Sequence, residues 1–352
     1  MRSEKLSEIY RASGADVVYV TTDYLLRYLT GFYATDGAVL LDGERCRLIV
    51  DARYFEGAEK ALWGTDITVV LRSAADTPES LLKDYKKVAI PFALTSYPEY
   101  AALKEQGYTL VDGMPALREA MMIKSREELA LIQSACTIAE EAFRELLGEI
   151  KEGMTETEVA ALLEYNMRRR GASGTSFDTI CAFGEGGSIP HYETGDRKLR
   201  FGDPVLIDFG CKVSGYCSDI TRTFLFGDDK KHEEFKKSYA EVLRAHELVK
   251  EKVVAGMTGR EADAVARESL KRAGLAEAFT HSLGHGIGLN IHELPVLSPR
   301  GETVLRDGMV FSDEPGVYFP GKYGIRIEDS CFMEDGRVRS FMKLTEKNLV
   351  IL

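Results

Sequence analysis

Apolar residues in the first third of the chain fall in short runs separated by polar and turn residues. Val17–Thr21, Val39–Leu41, Leu48–Val50, Ile67–Val70 and Val88–Ile90 are such runs of β-branched and aliphatic residues, and each predicts a β-strand. Asp42-Gly43 supplies a turn signal before Leu48–Val50, and Arg53–Leu62 and Tyr97–Glu105 read as helices. Residues 1 to about 118 therefore predict an α/β domain, with no cluster of histidine and acidic residues in it.

A different pattern starts near Leu117–Lys124. Ser125 and Glu128 form a capping box, and Leu129, Ile132, Cys136, Ala139, Phe143 and Leu146 then mark one helical face. Glu152-Gly-Met-Thr-Glu-Thr-Glu158 recurs as Ala255-Gly-Met-Thr-Gly-Arg-Glu261, with Thr155/Glu158 and Thr258/Glu261 as capping boxes. The two helices end at Gly171 and Gly274. The repeat continues through Gly202-Asp-Pro-Val-Leu-Ile-Asp208-Phe-Gly210 and Gly308-Met-Val-Phe-Ser-Asp-Glu314-Pro-Gly316. Asp219 then matches Glu328, and His191 matches His292. The simplest account is an N-terminal α/β domain over 1–120 and a second domain over 121–352. That second domain would be two similar halves about a pseudo-twofold axis, with a site built from both.

His281-Ser-Leu-Gly-His-Gly-Ile-Gly-Leu-Asn-Ile-His-Glu293 holds three of the six histidines. Alternation of Ile287, Leu289 and Ile291 with smaller or polar neighbours predicts a strand there. On a strand, His285 and His292 would face opposite sides unless a bulge intervenes, and so would have different jobs. The plain alternative is a glycine-rich loop with stray histidines. Acidic residues in matching contexts on both sides argue against it.

Composition excludes several classes. The chain has 352 residues, 45% hydrophobic and 29% charged, which is ordinary for a globular protein of more than one domain. A net charge of -11 argues against nucleic acid as a partner. No apolar run is long enough to span a bilayer, and Met1-Arg-Ser-Glu-Lys-Leu-Ser-Glu8 lacks the apolar core of a signal peptide. Cysteines 46, 136, 181, 211, 217 and 331 form no CxxC pair. Free thiols, no membrane and a cytoplasmic location are expected.

Asp208, Asp219, Glu314 and Glu328 with His285 make four carboxylates and one imidazole in apolar strand contexts, Ile207-Asp-Phe and Ile325-Arg-Ile-Glu among them. Such carboxylates would repel and lose charge unless cations neutralise them. Two divalent ions, roughly 3.5–4 Å apart, satisfy that need. Oxygen-rich ligation with one histidine favours Mn2+, with Co2+ or Zn2+ as substitutes.

Ile207-Asp-Phe-Gly, Ser218-Asp-Ile-Thr-Arg-Thr223, His281-Ser-Leu-Gly-His-Gly-Ile-Gly, Glu314-Pro-Gly-Val-Tyr318 and Gly324-Ile-Arg-Ile-Glu-Asp329 together resemble the pita-bread metallopeptidases. The resemblance is strong over 121–352 and points to the Xaa-Pro group, aminopeptidase P and prolidase. Tyr28-Leu-Thr-Gly-Phe32 and Asp51-Ala-Arg-Tyr54 resemble that group's N-terminal domain more loosely. The resemblance implies an α+β fold whose C-terminal domain has two pseudo-symmetric halves, a homodimer, and short proline-containing peptides as substrates. It implies that Asp208 chelates one ion, Asp219 and Glu328 bridge both, and His285 and Glu314 hold the other. Glu314 would also carry a proton to the leaving nitrogen, His292 would stabilise the oxyanion, and His191 would position the substrate. His281 would line the pocket, and Arg326 would clamp a ligand carboxylate. Phe177, Ile291 and Tyr318 would form the wall for proline, although Phe177 and Tyr318 also read as core residues.

The chain departs from the group's pattern at several positions. Cys181 and Phe183 replace smaller residues, and Asp313 stands where an apolar residue or threonine is usual; alternation turns it away from the metals, to a supporting or surface position. Val296 replaces the arginine of several prolidases, which weakens the case for a dipeptidase unless Arg300 supplies the missing cation. The expected activity is cleavage of Xaa-Pro at peptide N-termini. Prolidase is the alternative, and a broader aminopeptidase or a catalytically dead relative are further ones. Retention of all five ligands argues against a metal-free relative.

Overall fold

The computed structural model describes residues 2–228 and 232–352. The chain divides into two compact units, Met1–Met121 and Met122–Leu352.

In the first unit a six-stranded mixed sheet runs, in spatial order, Ile67–Leu71, Cys46–Val50, Gly37–Leu41, Val17–Val20, Lys87–Ile90 and Thr109–Asp112. Near-continuous apolar strands suit a sheet covered on both faces. Val18 and Val20 enter one apolar cluster with Leu25, Leu26 and Leu29 of the helix Asp23–Thr30, while Val17 and Tyr19 enter another with Leu82 and Leu103. Each fully buried aliphatic side chain there contributes about 1.5–3 kcal/mol. The predicted strands and the helices Ala52–Ala61 and Tyr97–Glu105 are all present. The helices Arg2–Ser13, Asp23–Thr30, Pro78–Leu82 and Met114–Met122 are additional.

The second unit contains the repeat. Its helices are Arg126–Glu149 and Glu156–Arg169 in one half, Glu233–Lys252 and Gly259–Arg272 in the other. Each of the three predicted capping boxes forms, with the Ser125, Thr155 and Thr258 amides donating to Glu128, Glu158 and Glu261 at 2.7 Å. The halves match down to single hydrogen bonds. Gly153 N–H donates to Leu199 O at 2.8 Å, and Gly256 N–H to Leu305 O at 2.9 Å; Leu199 and Leu305 donate back to Met154 and Met257 at 2.8 Å. Gly171 and Gly274 end their helices at φ 104° and 76°, where a side chain would be strained.

In the first half Asp203–Phe209 pairs antiparallel with Ile180–Phe183 and Ile220–Phe226. In the second, Val310–Asp313 pairs antiparallel with Asp329–Glu334 inside a five-stranded sheet. The acidic residues therefore sit at equivalent ends of two antiparallel pairs, as the repeat requires. All six cysteines are buried and free.

One expectation is corrected. Residues 287–291 do not form a strand; they are the loop between the antiparallel strands Gly284–Gly286 and Glu293–Leu297, with a bulge between His285 and Gly286. Close packing imposes that turn. A Cβ on Gly286 would lie 2.2 Å from Leu294 O, and one on Gly288 would lie 2.4 Å from a Glu293 carboxylate oxygen. His285 and His292 consequently meet rather than diverge, with ring centroids 4.3 Å apart.

Candidate metal centre

Strand ends deliver the acidic residues to one place. Asp208 lies in the strand Asp203–Phe209, Asp219 directly before Ile220–Phe226, Glu314 directly after Val310–Asp313, and Glu328 directly before Asp329–Glu334. His285 comes from Gly284–Gly286, where a Cβ on Gly284 would lie 2.0 Å from Ser312 O. Only glycine lets these strands approach so closely beside the histidine.

The arrangement is tight. One ligand atom each from Asp219, His285 and Glu328 lie within 4.8 Å of one another. His285 Nε2 is 3.6 Å from Asp219 Oδ2 and 3.4 Å from Glu314 Oε1. Its Nδ1 lies 3.1 Å from Gly286 O, a contact that fixes the Nδ1–H tautomer and leaves the Nε2 lone pair facing the carboxylates. Arg326 Nη2 donates to Asp208 Oδ2 at 2.7 Å. Three further side chains, to which the sequence reading gave no role, hold the acids in place. Thr221 donates to Glu328 at 2.6 Å, Ser312 to Glu314 at 2.9 Å, and Ser330 Oγ accepts the Asp219 amide at 3.0 Å. Short hydroxyl side chains in strands carry no sequence signal that separates such a role from ordinary packing.

The electrostatics call for cations. Burial first, then the neighbouring carboxylates, push Asp219 and Glu328 well above the usual carboxylate range. Burial is also the main cause that lifts Glu314 to about 7. Asp208 Oδ1 is buried without a hydrogen-bond partner among the described residues. An orphaned carboxylate oxygen beside three other acids and an imidazole lone pair fits divalent cations, the only common groups that satisfy all of them at once.

A cavity of about 610 Å³ opens onto this cluster. Phe177, His191, His281, Ile291, His292 and Arg326 line it, together with Asp178, Ile180 and Val296. His191 follows the turn Gly184–Ser188 of the first half, so both halves contribute to the walls. Tyr318 does not line the cavity. It is buried behind it, where its hydroxyl accepts from Arg326 Nη1 at 2.7 Å and meets His281 Nε2 at 2.9 Å. Burial, then the Arg326 charge, lowers the His281 pKa to about 4, so the ring is neutral and fits this chain of hydrogen bonds. Arg300 is exposed in the turn after Glu293–Leu297 and is not among the cavity-lining residues. Asp313 is fully buried, which removes the surface alternative for it.

Residues 130–335 match the model of metallopeptidase family M24. The chain belongs to metallopeptidase family M24. Residues 2–123 match the creatinase/prolidase N-terminal domain. This M24 chain is 35% identical over 355 residues to the Xaa-Pro dipeptidase of Pyrococcus furiosus, covering 99% of each. It superposes on the Xaa-Pro dipeptidase from Bacillus anthracis with a TM-score of 0.93 at 35% identity, covering 100% of both chains. With the X-Pro aminopeptidase from Thermotoga maritima the TM-score is 0.91 at 32% identity, covering 98% and 99%. The protein is thus a metallopeptidase with the pita-bread fold and an N-terminal α/β domain. No helix among the described residues is long and apolar enough to cross a membrane.

Proposed function

We propose that this M24 chain is a dinuclear Xaa-Pro aminopeptidase that hydrolyses the bond before proline at the N-terminus of short peptides. Asp208 and Asp219 with Glu328 would hold one divalent ion, and Asp219, Glu328, His285 and Glu314 the other. When bound, the ions supply Lewis acidity toward the scissile carbonyl and toward water. Mn2+ is the metal that the oxygen-rich set favours, with Co2+ or Zn2+ able to substitute. Glu314 takes a proton from the attacking water and hands it to the leaving proline nitrogen. His292 donates to the developing oxyanion, and His191 positions the peptide from the opposite half. Phe177 and Ile291 pack against the proline ring, a tertiary amide that offers no N–H to recognise.

The observation that carries the aminopeptidase reading is the state of the pocket's cations. Its guanidinium, Arg326, is committed to Asp208, and Val296 lines the cavity 38% exposed. A free proline carboxylate would lack the cation that a buried charge needs, whereas a longer peptide brings no charge there. The dipeptidase names of the Pyrococcus furiosus and Bacillus anthracis relatives favour the other reading. Hydrolysis of Xaa-Pro against Xaa-Pro-Yaa, with and without added Mn2+, decides between them: activity confined to dipeptides overturns the aminopeptidase.

The reading also includes a catalytic domain over 121–352, an N-terminal domain over 1–120 that makes a homodimer, and a cytoplasmic location. A monomeric mass in light scattering would count against the dimer.

A further inference from the structure

We propose that His246 is a positioning residue for the metal centre, tying together from behind the two strand ends that carry Glu314 and Glu328. The inference rests on those two residues being metal ligands.

His246 lies in the helix Glu233–Lys252 and is completely buried. Its Nδ1 is 3.0 Å from Asp313 Oδ2; its Nε2 is 3.4 Å from Asp329 Oδ2 and 3.0 Å from Lys250 Nζ. Lys250 itself stands 3.7 Å from Asp329. With a proton on Nδ1 the ring faces Asp313 as a donor, while Nε2 accepts from Lys250, which stands beside Asp329; with both nitrogens protonated it faces both aspartates directly.

The position of those two aspartates gives the contact its consequence. Asp313 immediately precedes Glu314, and Asp329 immediately follows Glu328. Asp313 and Asp329 are Cα partners across the antiparallel pair. Because successive side chains on a strand face opposite sides, one acid pair is directed to the pocket and its neighbours to the helix. The ring spans the rear pair at the level where the front pair must hold its spacing.

The two aspartates are not equally supported. Asp329 receives Arg222 Nη2 at 2.9 Å, Ser340 Oγ at 2.7 Å and Lys347 Nζ at 3.2 Å. Neither oxygen of Asp313 has a hydrogen-bond partner among the described residues, and the polar contact that it does have is the 3.0 Å approach of His246 Nδ1. Without His246, two buried carboxylates would face each other across one strand pair. Their separation would relieve the repulsion between them, and it moves the strand ends. Groups that orient metal ligands from behind typically change metal affinity 10–100-fold when removed.

The test uses the full chain, stripped of metal and titrated with Co2+ alone, followed by calorimetry and by the visible absorption of the bound ion. His246→Gln should raise the Co2+ Kd about 10–100-fold and alter the spectrum while far-UV circular dichroism stays unchanged. Asp313→Asn should also raise the Kd, and the double variant should be no worse than the weaker single one, since both remove one tether. A wild-type Kd and spectrum in His246→Gln, with only a lower Tm of the metal-free protein, would overturn the proposal, as would additive losses. Should His246→Gln not fold, Asp313→Asn decides: a raised Kd supports the tether and an unchanged one refutes it. Asp219→Asn serves as the control. If it binds Co2+ like the wild type, the ligand assignment itself is wrong; if it alone loses Co2+, only the role of His246 fails.

Discussion

Arg326 holds one oxygen of Asp208 at 2.7 Å while the other oxygen is buried with no hydrogen-bond partner among the described residues. The guanidinium orients the carboxylate, and the free oxygen is the one available to an ion. Arg326 Nε also donates to Thr221 Oγ1 at 3.0 Å, and Thr221 donates to Glu328. A single cation thus orders carboxylates from both halves. Arg326→Gln is expected to lower metal affinity about 10–100-fold, read by titration of the metal-free protein with Mn2+. An unchanged affinity would mean that Asp208 needs no such clamp.

The two neighbouring histidines should separate by function. His285→Ala should lose metal, because its Nε2 faces Asp219 and Glu314. His292→Ala should keep its metal content and lose about 10²–10³-fold in kcat, the loss typical for one oxyanion donor. Elemental analysis of both variants beside their kinetics checks this, and equal metal loss in both would show the division to be wrong.

Substrate length should respond to one side chain. Val296→Arg would place a guanidinium at the wall of the cavity. A charge-assisted hydrogen bond of about 1.5–3 kcal/mol to the proline carboxylate should lower the KM for Xaa-Pro dipeptides about tenfold or more. The KM for Xaa-Pro-Yaa should not improve. Parallel gains on both substrates would show that the site does not meet the carboxylate.

Acid stability should carry the signature of His281. Its folded pKa of about 4 lies below the ordinary histidine value, because burial and then Arg326 disfavour the charged ring. Below about pH 6.5 the unfolded chain binds a proton here that the folded chain refuses until about pH 4. Stability therefore falls as pH falls through that window, by on the order of 3 kcal/mol, and this contribution is flat on either side. Urea unfolding of the metal-free protein between pH 7 and 4 should show a steeper loss for the wild type than for His281→Gln. Equal slopes would remove His281 as the cause.

Local physics made much of this protein readable before folding was considered. The capping boxes at Ser125, Thr155 and Thr258 are hydrogen bonds between residues three apart, so the sequence alone specifies them. Burial of alternate residues on two faces of a sheet is likewise written in Val17–Val20. The duplicated motifs located the acids at matching strand ends, because a repeat carries its own topology.

Other features depended on which distant segments come together. The loop between Gly284–Gly286 and Glu293–Leu297 has the apolar alternation of a strand, but the backbone packing that turns it lies in Leu294 and Glu293. Tyr318 had the sequence context of a pocket wall, yet the approach of Arg326 and His281 draws its hydroxyl inward. Asp313 was legible only as an oddity, because its partner, His246, sits on a helix far away in sequence. The sequence by itself determined which residue types could bind metal, and in what order along the chain. Tertiary packing decided their spacing and their partners, and left no free cation beside Val296 among the described cavity-lining residues, since distances between remote side chains are set by close-packed backbone and not by local propensity.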